Sequence, residues 1–154
     1  MSKISSNRYE DTLAYGKSLG QTLKGGELII LTGQLGSGKT VLTKGIAASL
    51  DIDEVVTSPS FAIMNLYEGR LKLCHFDFYR IERKAEMVDL LEDYVYREDC
   101  ICVVEWGDAL VDTLESCIHI HIAIEGDVRV VTERRMSNAR GERMKMGGSR
   151  DTHG

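Results

Sequence analysis

The run Gly33-Gln34-Leu35-Gly36-Ser37-Gly38-Lys39-Thr40 restricts this chain more than any other stretch. It fits G-x-x-x-x-G-K-[ST]. A short apolar run, Glu27 to Leu31, precedes it, and an apolar-periodic stretch from Lys39 to Leu50 follows, so the order is strand, loop, helix. Gly33, Gly36 and Gly38 have no Cβ, which lets successive backbone N–H groups converge on an anion ahead of the positive end of the helix. In this pattern Lys39 reaches the β- and γ-phosphates of a nucleotide as a point charge, and the Thr40 hydroxyl ligates Mg²⁺. Gln34, Leu35 and Ser37 complete the loop, and Val41 joins the candidate nucleotide-binding set.

A phosphate cradle alone only binds; hydrolysis also needs carboxylates that hold a metal and orient or deprotonate water. Asp77 closes the run Leu71 to Phe76, and Glu105 closes Ile101-Cys102-Val103-Val104. Each therefore stands near the C-terminal end of a strand, where ligands bind in open α/β sheets. From spacing alone, each is equally well a solvated acid at a strand end. Thr57, Ser58, Pro59 and Ser60 form a hydroxyl-rich loop where nucleotide hydrolases keep a first switch segment, although a plain Ser-Pro turn explains them too. Trp106, the only tryptophan, follows Glu105 directly and either packs over a nucleotide or belongs to the core.

The remaining pattern predicts a helix over 8–24, capped by Asn7 with Glu10, its face made by Leu13, Leu19 and Leu23. Phe61 to Tyr67 and Leu71 to Phe78 read as a hairpin turning at Glu68-Gly69-Arg70, and 83–91 as a helix. Ile101 to Glu105 reads as a buried strand, and Cys117 to Ile124 with Val128 to Thr132 as a second hairpin turning at Gly126. Parallel strands beside hairpins predict an α/β fold of the P-loop NTPase kind: three layers, with a mixed central sheet of parallel core and antiparallel flanks, and helices on both faces.

Length supports one core, so residues 1–133 are expected to form a single domain. The charge of −5 is uneven: from Arg134 onward six basic residues face two acidic ones, leaving −9 on the rest. That overall balance argues against a protein that coats nucleic acid by itself. The tail 134–154 has no apolar period and is expected to be disordered. No apolar run approaches a membrane span and no signal-peptide pattern opens the chain, so a cytoplasmic protein is expected. Cys74, Cys100, Cys102 and Cys117 lack the paired two-residue gaps of zinc sites; alternate residues such as Cys100/Cys102 and His119/His121 share a strand face in any case, and no zinc is expected.

Four segments taken together, Gly33 to Thr40, Thr57-Ser58-Pro59-Ser60-Phe61, His75-Phe76-Asp77-Phe78-Tyr79-Arg80 and Glu105-Trp106, resemble the TsaE family, formerly YjeE, in order and spacing over about residues 5–132. The resemblance implies a bacterial ATPase, using ATP/ADP and Mg²⁺, required for threonylcarbamoyladenosine beside the anticodon of tRNA. It implies TsaD and TsaB as partners: TsaC supplies threonylcarbamoyl-adenylate, the TsaD–TsaB pair transfers the group, and TsaE resets that pair by hydrolysing ATP, meeting tRNA only through the complex. Lys39 and Thr40 match the family's phosphate and Mg²⁺ residues. Asp77 is implied in the metal shell through water, Glu105 on either the metal or the attacking water, and His75, Tyr79 and Arg80 as shaping the site. The sequence departs from the family where Ser60 replaces a frequent Thr and Gly107 a common Pro; Ser60 keeps the hydroxyl.

The chief alternative is a small-molecule kinase with Asp77 as base and Arg70, Arg80, Arg83 and Lys84 as a phosphate-clamping lid. A GTPase is disfavoured because no Asn-Lys-x-Asp motif follows. A module that uses ATP only to order its loops is the third reading. Lys39→Ala is expected to weaken nucleotide binding and abolish ATP turnover; release of ADP at the wild-type rate would end the P-loop reading.

Overall fold

The computed structural model describes residues 2–6 and 8–137. Its elements run β1 (Ser2–Ser6), α1 (Tyr9–Gln21), β2 (Leu28–Thr32), α2 (Lys39–Ser49), β3 (Met64–Tyr67), β4 (Lys72–Asp77), α3 (Lys84–Leu91), β5 (Cys100–Glu105), a 3₁₀ turn at Asp108–Leu110, β6 (Ser116–Glu125) and β7 (Val128–Ser137). The strands form one seven-stranded sheet in the order β1-β7-β6-β2-β5-β4-β3. Pairs β6–β2, β2–β5 and β5–β4 are parallel, while β1–β7, β7–β6 and β4–β3 are antiparallel. The mixed sheet with a parallel centre is the one the pattern predicted. Every residue of β2 and β5 is buried, as strands covered on both faces must be.

Alternation within the strands divides the core in two. Ile29, Leu31, Leu73, Ile101 and Val103 pack with Leu19 of α1, with Leu23 just beyond that helix, which ends at Gln21 rather than at residue 24, and with Leu42 and Ile46 of α2. Leu28, Ile30, Phe76 and Val104 face the other way, onto Met87 and Leu91 of α3 and Leu110. Cys74, Cys100 and Cys102 lie in this second layer, and all four cysteines are free and buried.

Helices α1 and α2 meet backbone to backbone. A Cβ on Gly45 would come within 2.9 Å of the Gly16 Cα and 2.8 Å of the Lys17 nitrogen, and would collide with the Leu13 carbonyl oxygen. The absence of side chains at Gly16 and Gly45 is therefore what seats the helix that follows the glycine-rich loop.

Four expectations need correction. Helix α1 starts at Tyr9 and its N-cap is Arg8, without a side-chain cap bond; Asn7 lies outside the described residues. Phe61 to Ile63 are not strand: they form a turn before β3, in which Ile63 has φ 71° and its N–H donates to the Pro59 carbonyl. Strand β1 was not anticipated, because an edge strand reading Ser-Lys-Ile-Ser-Ser has a single apolar residue and no alternation to detect. Finally, Arg134 to Ser137 belong to β7, where Arg134 pairs with His119 and Met136 with Cys117, so the sheet extends into the stretch assigned to the tail. The rest of that tail, 138–154, lies outside the described residues.

Gly45→Ala is expected to destabilise the protein by about 1–3 kcal/mol through overpacking, even though alanine is the better helix former. Urea unfolding would register this as a lowered midpoint, and an unchanged midpoint would contradict the close helix contact.

Candidate functional site

The loop between β2 and α2 is held open by its glycines. Gly33, Gly36 and Gly38 have φ of 141°, 79° and 114°, conformations that L side chains rarely adopt. Helix α2 begins with Gly38 as N-cap, with no side-chain cap bond and no acidic residue in its first turn. Its first N–H groups are therefore left for an external acceptor. The buried Ser37 Oγ has no partner among the described residues either.

Lys39 is buried at the base of this loop, where its Nζ donates to the Gly33 carbonyl and lies 4.1 Å from the Trp106 ring centroid. Burial pulls its ammonium below the ordinary lysine range, and the nearby Glu105, Asp108 and Asp77 carboxylates act against that. Trp106 has φ 61°, and its ring packs on Tyr79 with centroids 5.0 Å apart and planes tilted by 59°. It is half-buried, lining the cleft on one side and packing against the second core layer on the other.

The register of β4 on β5 pairs Asp77 with Glu105, so both carboxylates end their strands side by side, facing the loop. Both are buried. Asp77 Oδ1 accepts the Tyr79 N–H at 2.9 Å, and Oδ2 accepts the hydroxyls of Ser58 and Ser60, each at 3.2 Å. The segment Thr57 to Ser60 is thus tied to the carboxylate, with Thr57 exposed and Pro59 buried beneath. Glu105 is held differently: Oε2 lies 2.7 Å from Nε2 of the buried His75, and Oε1 has no hydrogen bond among the described residues.

These groups line one cleft of about 640 Å³, together with Leu35, Gly36, Ser37, Gly38, Lys39, Thr40, Val41, Phe61, Tyr79, Arg80 and Trp106. Of the predicted set, Gly33 sits at the foot of the loop, Gln34 is exposed on it, and Thr57 and Pro59 flank Ser58 and Ser60 without lining the cleft. The four-cation lid does not assemble. Arg80 lines the cleft and lies 4.6 Å from the Phe61 ring, but Arg70 donates to the carbonyls of Gly20, Leu23 and Ser49 at the far ends of the helices, and Arg83 is the N-cap of α3.

A second cleft of about 570 Å³ lies on the other side of the same loop, bounded by Arg8, Tyr9, Thr12, Val41, Ile124 and Arg129 among others. The Arg129 guanidinium donates to the Gly36 carbonyl at 3.3 Å. Sequence reasoning missed this cleft because its walls come from α1 and the β6–β7 turn, far apart in the chain and without a shared motif. Near the loop's entrance, the Thr32 hydroxyl meets His119 Nε2 at 2.9 Å and His121 Nδ1 at 2.7 Å. Among the described residues no group of three or more His, Cys, Asp and Glu side chains is placed to hold a metal ion, and no helix is long and apolar enough to cross a membrane.

Residues 6–136 match the model of the family described as threonylcarbamoyl adenosine biosynthesis protein TsaE. A tRNA threonylcarbamoyladenosine biosynthesis protein TsaE of Mycobacterium tuberculosis is 37% identical over 138 residues, covering 81% of this chain and 82% of its own. That of Bacillus subtilis is 38% identical over 120 residues, covering 77% and 75%. A crystal structure of YdiB from Bacillus subtilis superposes with a TM-score of 0.73 at 29% identity, covering 93% of this chain and 90% of that one.

With Trp106 the only tryptophan and its ring on Lys39, its fluorescence is expected to change when Mg-ADP is added. Emission unaltered by ADP would support the reading in which Trp106 belongs to the core.

Proposed function

The chain belongs to the TsaE family, and on that premise we propose that it binds ATP across Gly33 to Thr40 and hydrolyses it to ADP and phosphate with Mg²⁺, in the service of threonylcarbamoyladenosine modification of tRNA. The observation that carries this reading is the convergence of Lys39, Thr40, Asp77 and Glu105 on one cleft in front of an uncapped helix N-terminus. A lysine and a row of N–H groups take the phosphates on one wall, while two acids stand on the opposite wall. The second cleft supplies room for the nucleoside, with the loop between the two clefts straddled by the phosphate chain.

The donor set suits a hard cation. Thr40, Asp77 and Glu105 offer oxygen only, and two carboxylates with a hydroxyl leave positions for phosphate and water, as Mg²⁺ prefers. Bound there, the ion would neutralise charge developing on the phosphate oxygens. Asp77, with both oxygens already accepting hydrogen bonds, is suited to act on that ion through water while anchoring Ser58 and Ser60. Glu105, with Oε1 unengaged, is suited to take the proton of the attacking water or to orient it.

At the level of the pathway, this activity would act on a TsaD–TsaB complex in the cytoplasm, resetting it between rounds of transfer and meeting tRNA through that complex. Reconstitution with TsaD, TsaB and tRNA tests the partnership: modification that proceeds equally well without this chain, or with ATP replaced by a non-hydrolysable analogue, would remove the resetting role.

At the chemical level, Glu105→Gln is expected to lower kcat by roughly 10²–10⁴ while ADP binding persists, the range for loss of a general base. Asp77→Asn is expected to raise the Mg²⁺ concentration needed for half-maximal rate. If Glu105→Gln turned over ATP within twofold of wild type, the assignment of Glu105 would fail.

A further inference from the structure

His75 is wholly buried, and its two ring nitrogens have opposite fates: Nε2 lies 2.7 Å from Glu105 Oε2, and Nδ1 has no partner among the described residues. An ionised carboxylate oxygen accepts and does not donate, so the proton of the 2.7 Å contact must come from the ring. The arrangement therefore fits a ring that carries a proton on Nε2 and donates it to Glu105. Strand geometry fixes this pair. His75 lies two residues before Asp77 on the same face of β4, and the β4–β5 register brings that face alongside Glu105.

A glutamate has three side-chain torsions to freeze, and this one stands at a cleft where Lys39 and any bound cation compete for it. We propose that His75 is a positioning residue: by holding Oε2 it withholds Glu105 from the loop lysine and keeps Oε1 turned toward the attacking water. The proposal rests on the reading of Glu105 given above. It assigns His75 no contact with nucleotide and no proton-transfer step. Its effect is on the rate of the chemical step, not on nucleotide affinity.

Three amide or apolar replacements separate this role from simple packing. Gln places an N–H near the position of Nε2, Asn places one near Nδ1, and Leu fills the site with no donor. In the full-length chain, His75→Gln is expected to keep kcat within about threefold. His75→Asn and His75→Leu are expected to lose roughly 10- to 100-fold, the range for removing an orienting hydrogen bond, with KM for ATP and the ADP-induced change in Trp106 emission unaltered. A double-mutant cycle adds the decisive comparison, since His75→Leu placed on Glu105→Gln should cause no further loss. Imidazole ¹⁵N spectra of the nucleotide-free protein give a readout independent of turnover and of any variant's folding, and should show the Nε2–H tautomer.

A wild-type kcat in His75→Leu, multiplying losses in the double mutant, or the Nδ1–H tautomer would overturn the proposal. Loss of activity in Glu105→Gln together with full activity in His75→Leu removes only the role of His75. Full activity in Glu105→Gln removes the reading beneath it.

Discussion

Parallel pairing of β4, β5 and β2 is the constraint on which the site depends. Register aligns Asp77 with Glu105 and Leu31 with Glu105, so that two acids and the start of the glycine-rich loop leave the sheet at one level. That alignment is enforced by burial: β2 and β5 are covered on both faces, and a slip of one residue would turn every apolar side chain of one layer into the other. The placement of the carboxylates is therefore supported by the whole core, as strand-borne sites are when precision matters.

Three of the ionisable groups that line this cleft are buried, and isolated charges would not be tolerated there. Each has compensation of a different kind. Asp77 accepts one backbone N–H and two hydroxyls, Glu105 meets an imidazole, and Lys39 has a carbonyl and an indole face. What is left over is directional: the Ser37 hydroxyl, the Glu105 Oε1 and the first N–H groups of α2 are unengaged. A polyanion with a hard cation would complement that remainder, which is the basis of the function proposed above.

The central fold was legible because its signals are local. The loop motif, the two apolar runs ending in acids and the helical stretch after Lys39 each carry their meaning within about ten residues, and the structure joins them as expected. The peripheral strands were not, since β1 is polar and the end of β7 reads as a charged tail until its pairing with β6 is seen. Contacts between distant segments were also out of reach. Nothing in the sequence places Arg129 on the Gly36 carbonyl, Arg70 on the helix ends, or the Trp106 ring over Lys39. The division of labour between Asp77 and Glu105 became arguable only once their hydrogen bonds could be counted oxygen by oxygen.

The bare contact between Gly16 and Gly45 has a mechanical consequence. Most helix pairs are separated by a layer of side chains that can change rotamer and let one cylinder slide or tilt over the other. Here two peptide backbones touch, and no such lubricating layer exists at the crossing. Tilt or slide of α2 against α1 is therefore resisted at that point by main chain against main chain, and the helix that follows the glycine-rich loop is seated without a side-chain cushion.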